Sequence, residues 1–203
     1  MQNIAILGLG EGRSAISAVL TSSRLNLVNI CDRNEDLCIQ RAEEFNLRTY
    51  TTDYEELLDN PDIDIIAIYT PDNLHATHVK QALAKGKHVV CTKPFIHDLS
   101  LAKELTELAE TQQRKVFVGQ SSRFFEPMKR QRADFEEGVI GDLITIEAYY
   151  HADHHWFLSK EWSLRSDFKW LYGGLSHPVD FIRLYMPDIE EVVGFGMISP
   201  NGI

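Results

Sequence analysis

Nothing in the 203-residue sequence approaches the ~20 consecutive apolar residues needed to cross a bilayer. Basic residues are in deficit. With 20 Lys and Arg against 30 Asp and Glu, the formal net charge is -10, which argues against a nucleic-acid partner or an anionic membrane surface. Cysteine is scarce too. Cys31, Cys38 and Cys91 make an odd count without metal-site spacing, and no metal is assigned to the chain. Cys31 and Cys91 fall at the ends of apolar strand patterns, where small buried thiols are expected. Ahead of the first apolar run, Asn3 to Leu7, there is no basic stretch or cleavage site of a secretory leader, so a cytoplasmic, reducing setting is expected. Repeats and low-complexity segments are lacking. What is present is a 44% hydrophobic share, enough to bury a core.

Apolar strand runs alternate with helical patterns over the first part of the chain, the arrangement of a parallel sheet with crossover helices. Strands are expected at 4–7, 27–31, 63–69, 88–91 and 116–119, and helices at 14–20, 35–45, 54–58, 74–84 and 99–111. The run through Ile63, Ile65, Ile66, Ala67, Ile68 and Tyr69 is nearly continuous, as a strand covered on both faces should be. Asp98 precedes a capped helix start, and Gly86 stands where a helix should break. Right-handed crossovers turn this order into an α/β, doubly wound parallel Rossmann sheet over 1–122.

After Gly119 the pattern changes. A helix is expected over 124–138, an alternating strand over 143–150, a loop rich in His and Trp, a short helix around 178–185 and a last strand over 192–198. Two strands and two helices do not close a sheet-based domain. The expectation for 123–203 is therefore an incomplete α+β open-sheet domain that faces substrate.

Gly8-Leu9-Gly10-Glu11-Gly12-Arg13 follows the first strand and opens a helix. Glycines here allow a tight turn and let a pyrophosphate approach backbone N–H groups at a helix N-terminus. Arg13 takes the place of a third glycine, so the helix either stands off the strand or Arg13 reaches toward phosphate; a plain strand–turn–helix is the alternative reading. Asp32 ends the second strand, where a carboxylate accepts hydrogen bonds from an adenosine ribose and repels a 2′-phosphate. This favours NAD over NADP, with Arg33 as a partial offset. Capping of the next helix is the other role open to Asp32.

Two more blocks are distinctive: Thr70-Pro71-Asp72-Asn73-Leu74-His75, then Gly86-Lys87-His88-Val89-Val90-Cys91-Thr92-Lys93-Pro94. Arg123-Phe124 with Pro127, Gly138-Val139-Ile140-Gly141, Gly173-Gly174 and His177-Pro178-Val179-Asp180 follow in order. Together they resemble the Gfo/Idh/MocA family of NAD(P)-dependent oxidoreductases across essentially the whole chain. The resemblance implies hydride transfer on sugars, cyclitols and their derivatives, and a homo-oligomer assembled through the C-terminal sheet.

It also implies roles. Lys93 matches the family lysine near nicotinamide and substrate, although Thr92 replaces the usual glutamate. An ammonium there polarises a reacting hydroxyl and stabilises developing oxyanion character. On spacing alone, a lysine at a strand end is a solvated surface residue. His177 matches the family's acid/base histidine. The aspartate often found four residues earlier is Gly173 here. Asp180, one helical turn beyond His177, either orients the imidazole or caps its helix. Thr70, Pro71, Asn73, His75, Thr92 and Gln120 are expected to border the cofactor, and Arg123 the substrate.

His151-Ala152-Asp153-His154-His155-Trp156 is read in three ways: contacts to a hydroxyl-rich substrate, metal ligands, or plain surface loop. Trp162, Arg165 and Trp170 join the same pocket or pack structurally. The expected reaction is oxidation of a secondary alcohol of a sugar, glycoside or cyclitol by NAD, or its reverse, with Lys93 and His177 handling the hydroxyl proton. Two alternatives are carried alongside: redox-assisted glycoside elimination, and a sensor or scaffold that binds NAD without turnover.

Overall fold

The computed structural model describes residues 1–151, 153, 164 and 170–196. They divide into two compact units, one drawn from Met1–Gln120 and Ala152–Ser176, the other from Ser121–His151 and His177–Ile203.

The first unit is built on five parallel strands in the order β2-β1-β3-β4-β5. They are β1 (Gln2–Leu7), β2 (Leu25–Cys31), β3 (Ile65–Ile68), β4 (His88–Thr92) and β5 (Val116–Gly119). Between them run α1 (Arg13–Leu20), α2 (Glu35–Glu44), α3 (Tyr54–Asp59), α4 (His75–Ala84) and α5 (Ser100–Thr111). Side chains alternate across a strand, so β1 sends Ile4 and Ile6 to one face, and Ala5 and Leu7 to the other. Each face has its own apolar cluster: Ile16, Val19 and Ile30 join the first, while Leu57, Ile66, Val79 and Leu83 join the second. Burying such a side chain contributes about 1.5–3 kcal/mol. The three cysteines are free and buried within these clusters, and burial pushes the Cys31 and Cys91 thiols up to about 12.

Local signals set the element ends. Asn34, Asp53 and Asp98 accept hydrogen bonds from the backbone N–H groups of Leu37, Glu55 and Ser100, at 3.3, 2.9 and 2.9 Å. Gly86 sits at a φ of 69° beyond α4, with its N–H on Leu83 O and that of Lys87 on Ala82 O, both 2.9 Å. This is a Schellman ending, which a left-handed glycine permits.

Strand order reverses between β1 and β3, and at such a switch point an open α/β sheet leaves a crevice at its carboxyl edge. Gly8 lies there at a φ of 89°. A methyl group on it would come within 2.6 Å of the Tyr69 carbonyl carbon, so only glycine lets the two strand ends pass this closely.

In the second unit, a single 3-10 turn (Ser121–Phe124) leads into α6 (Glu126–Glu136), which ends at Gly138 with φ 75°. The strand expected over 143–150 is not formed. Nor is the one over 192–198 as far as Gly196; its last residues lie outside the described ones. An isolated strand leaves its N–H and C=O groups unpaired, and no described residue pairs with either stretch. Ile144 is 93% exposed, and Val192 81%. The helix expected from Pro178 is instead α7 (Trp170–Tyr185), with Pro178 inside it. Gly173, Gly174 and Pro178 masked its first half, because all three disfavour a helix interior. Helix α7 contributes residues to both units.

Candidate functional site

The glycine turn of the first unit is pinned from beneath. Gly8 N–H donates to Cys31 O at 2.8 Å, and Leu9 N–H to Asp32 Oδ2 at 2.8 Å. Asp32 Oδ1 accepts from Asn34 N–H at 3.0 Å, so this carboxylate organises both the turn and the end of β2. It therefore does the cap-like work that was the alternative to its expected ribose role. A methyl group on Gly12 would collide with the carbonyl oxygen of Gly8, and Gly12 thereby supplies the close packing that Arg13 does not. Helix α1 does not stand off: Ile16 is fully buried against the sheet. Arg13 points to Glu44, donating from Nε at 2.6 Å, and its guanidinium lies 5.9 Å above the Phe45 ring. Glu11 and Arg33 are exposed.

Gly10 differs from its neighbours, because no atom lies within 4 Å of where its Cβ would be. Helix α1 has no side-chain cap and no acidic residue in its first turn. An open backbone turn at an uncapped helix N-terminus fits a pyrophosphate. Gln120, just past β5, adds a buried Oε1 without a hydrogen-bond partner among the described residues. These residues fit a dinucleotide.

Around the carboxyl edge, His75 is 1% exposed, and its ring nitrogens face the Pro94 and Thr70 carbonyls, each at 2.8 Å. It ties together the segments after β3 and β4, and burial pushes its pKa down. Thr92 Oγ1 lies 3.4 Å from the same ring, and Thr70 Oγ1 is 3.0 Å from His78 Nδ1. Pro71 is half-buried and Asn73 exposed. Lys93 precedes a cis Pro94, and its Nζ donates to Gly173 O at 2.9 Å. It is not the solvated surface lysine of the plain reading. Burial lowers its pKa, while Glu11 and Asp72 pull the other way. Sequence reasoning overlooked His97, whose Nε2 lies 3.0 Å from the buried Asp72 and whose ring stacks on Tyr172 at 5.2 Å.

The second unit places His177 in a cleft of about 590 Å³ lined by Ser122, Phe125, Tyr149, Tyr150 and Phe181. Ser122 Oγ lies 3.1 Å from His177 Nδ1, and the Tyr150 ring stacks on the imidazole at 5.3 Å. Asp180 forms a bidentate pair with Arg123 at 2.6 and 2.7 Å, so the contact expected between Asp180 and His177 belongs to Ser122 instead. Neither Ser122 nor Tyr150 carried a sequence signal. His151 is exposed, with its ring 5.6 Å from that of Tyr149. Asp153 is exposed too. His154, His155, Trp156, Trp162, Arg165 and the Trp170 side chain lie outside the described residues. Among the described residues, no cluster of three or more His, Cys, Asp or Glu side chains could hold a metal, and no helix is long and apolar enough to cross a membrane.

Fold and turn together define a Rossmann dinucleotide-binding unit. The family described as oxidoreductase family, NAD-binding Rossmann fold, matches residues 2–120. The chain belongs to this family, Gfo/Idh/MocA. It is 29% identical over 187 residues to a 1-carboxy-3-chloro-3,4-dihydroxycyclohexa-1,5-diene dehydrogenase of Comamonas testosteroni, covering 89% of this chain and 46% of that protein. It is 27% identical over 124 residues to levoglucosan dehydrogenase of Pseudarthrobacter phenanthrenivorans, covering 61% and 32%. In fold it is similar to the crystal structure of scyllo-inositol dehydrogenase from Lactobacillus casei with bound NAD(H) and scyllo-inositol. The TM-score is 0.82 at 22% identity, covering 91% of this chain and 56% of that one. The chain thus spans about half the length of these relatives or less.

Proposed function

We propose that the chain takes part in NAD-dependent interconversion of a secondary alcohol and a ketone on a sugar, glycoside or cyclitol. The observation that carries this is Lys93: a partly buried ammonium at the carboxyl end of β4, in the unit that carries the open glycine turn. Relatives named as dehydrogenases of levoglucosan and of a dihydroxylated ring support the substrate class.

NAD supplies the hydride acceptor when bound. Gly8, Gly10, Gly12 and the α1 N-terminus receive its pyrophosphate, Asp32 its ribose, and Gln120 offers an unmet acceptor at the sheet edge. Lys93, held by Gly173 O, stabilises charge on the substrate oxygen and accepts or returns its proton. Desolvation suits it to this, since a lowered pKa brings the neutral amine closer to working pH. His177, oriented by Ser122, is the second proton-handling group of the proposal, and the Arg123–Asp180 pair steadies the helix that bears it. Cytoplasmic location and self-association belong to the same proposal. Ile144, Val192 and Phe195 are the exposed apolar residues that an assembly would cover.

A screen of sugars and polyols, following NADH absorbance, tests this reading. Turnover of at least one such substrate, lowered about 100-fold or more by Lys93→Ala, is the expected result. NADH binding without turnover across the panel would leave only the dinucleotide-binding unit standing.

A further inference from the structure

Helices α1 and α2 are joined beside the glycine turn by a charge cluster that the proposed chemistry does not use. Glu44, on the last turn of α2, holds two arginines at once. Arg13 donates to Oε1 from Nε at 2.6 Å, and Arg41 donates to Oε2 from NH1 at 2.9 Å. Arg41 also reaches the turn itself, with Nε 3.2 Å from Leu9 O. The N–H of that same Leu9 is bound by Asp32. One peptide residue therefore has Arg41 on its carbonyl and Asp32 on its amide. The Arg41 side chain, 13% exposed, stands beside Asp32 on the same residue of the turn.

We infer that Glu44 sets the choice of dinucleotide by occupying the two guanidiniums that would otherwise receive a 2′-phosphate. This rests on the dinucleotide reading of the turn and goes beyond it, since that reading assigns the preference to Asp32 with Arg33 as a partial offset and gives Glu44 no part. With Glu44 in place, Asp32, Glu44, Arg13 and Arg41 sum to no net charge, and each guanidinium spends part of its donor set on Glu44: Arg13 through Nε and NH2, Arg41 through NH1. A phosphate dianion arriving there meets the Asp32 carboxylate and two arginines already paired with Glu44, with the exposed Arg33 standing outside the cluster. With Glu44 neutralised, the group carries one net positive charge and two forks of donors suited to phosphate oxygens. Arg13 keeps its place over Phe45, and Arg41 keeps its bond to Leu9 O, so the donors stay near the turn.

Fluorescence titration of the protein with NADH and with NADPH tests the inference without requiring turnover. Wild type binds NADH more tightly than NADPH. Glu44→Gln strengthens NADPH binding about tenfold and changes NADH binding less than about threefold. The gain fades as salt is raised, because it is ionic. Glu44→Gln combined with Arg41→Met removes the gain while retaining NADH binding. An unchanged NADH-to-NADPH ratio in Glu44→Gln overturns the inference, as does a gain that survives Arg41→Met. Wild type that binds neither dinucleotide overturns the inference and the dinucleotide reading together.

Discussion

Leu143–Ile144–Thr145–Ile146 in the second unit and Ile65–Ile66–Ala67–Ile68 in the first have similar apolar content, yet only the second stretch is a strand. Strand β3 lies between β1 and β4, which pair its backbone on both sides, and helices cover both its faces. No described residue pairs with 143–150, and Ile144 stays 93% exposed. An apolar pattern therefore states a preference, and neighbours decide whether it is realised. The same contrast separates two lysines. Lys87 Nζ is bound between the carbonyls of Asn60 and Ile63, at 2.6 and 2.9 Å, inside the loop before β3. Lys93 has one carbonyl partner and stands at the carboxyl edge, where a substrate oxygen could still join it.

Breaking the comparison begins with isoleucine. Ile66→Ala, at a fully buried position, is expected to lower unfolding free energy by about 2–5 kcal/mol in urea titrations. Ile144→Ala is the matched control in the second unit, placed last below. Next comes Gly12→Ala, where the added methyl group meets the Gly8 carbonyl. A loss of about 1–3 kcal/mol is expected, with a lower melting temperature.

The first unit should also respond to acid through His78. Burial pushes its pKa down to about 4 from an ordinary 6.5, so the folded state keeps it neutral. Between those values the unfolded chain binds the proton and the folded chain does not. Stability therefore falls as pH drops from about 6.5 toward 4, by about 3 kcal/mol before solvent screening of this partly exposed ring reduces it, and this contribution levels off below. His78→Gln should flatten that part of a pH-stability profile. Smallest of all, Ile144→Ala is expected to shift stability by less than about 0.5 kcal/mol. A loss comparable to that of Ile66→Ala would show that the Leu143–Ile146 stretch is packed after all.

Much of the first unit was legible in the sequence, for stated reasons. Periodicity located all five strands, while Asp98 and Gly86 marked helix ends through local hydrogen bonding. Asp32 could be placed because its role depends on distance along the chain from the glycines. Less local matters were not legible. Glu44 lies 31 residues from Arg13, and nothing in either neighbourhood announces the pair. Ser122 lies 55 residues from His177, and the expected partner Asp180 turned instead to Arg123. Helix α7 was half hidden because Gly173, Gly174 and Pro178 each weigh against a helix, and propensity yields to context. Arg13 is expected from the sequence either to hold its helix off or to reach toward phosphate, and its Glu44 partner is invisible there because a sequence shows charge without showing what it pairs with.

Gly10 offers the most direct measurement of the central claim, that the glycine turn receives a dinucleotide. Its Cβ position meets no described atom within 4 Å beyond its chain neighbours, so Gly10→Val adds a side chain to the open turn with little displacement of protein atoms. Stability should stay within about 1 kcal/mol of wild type, while NADH titration should show binding weakened at least about 100-fold. Unaltered NADH affinity in a folded Gly10→Val protein would contradict the account.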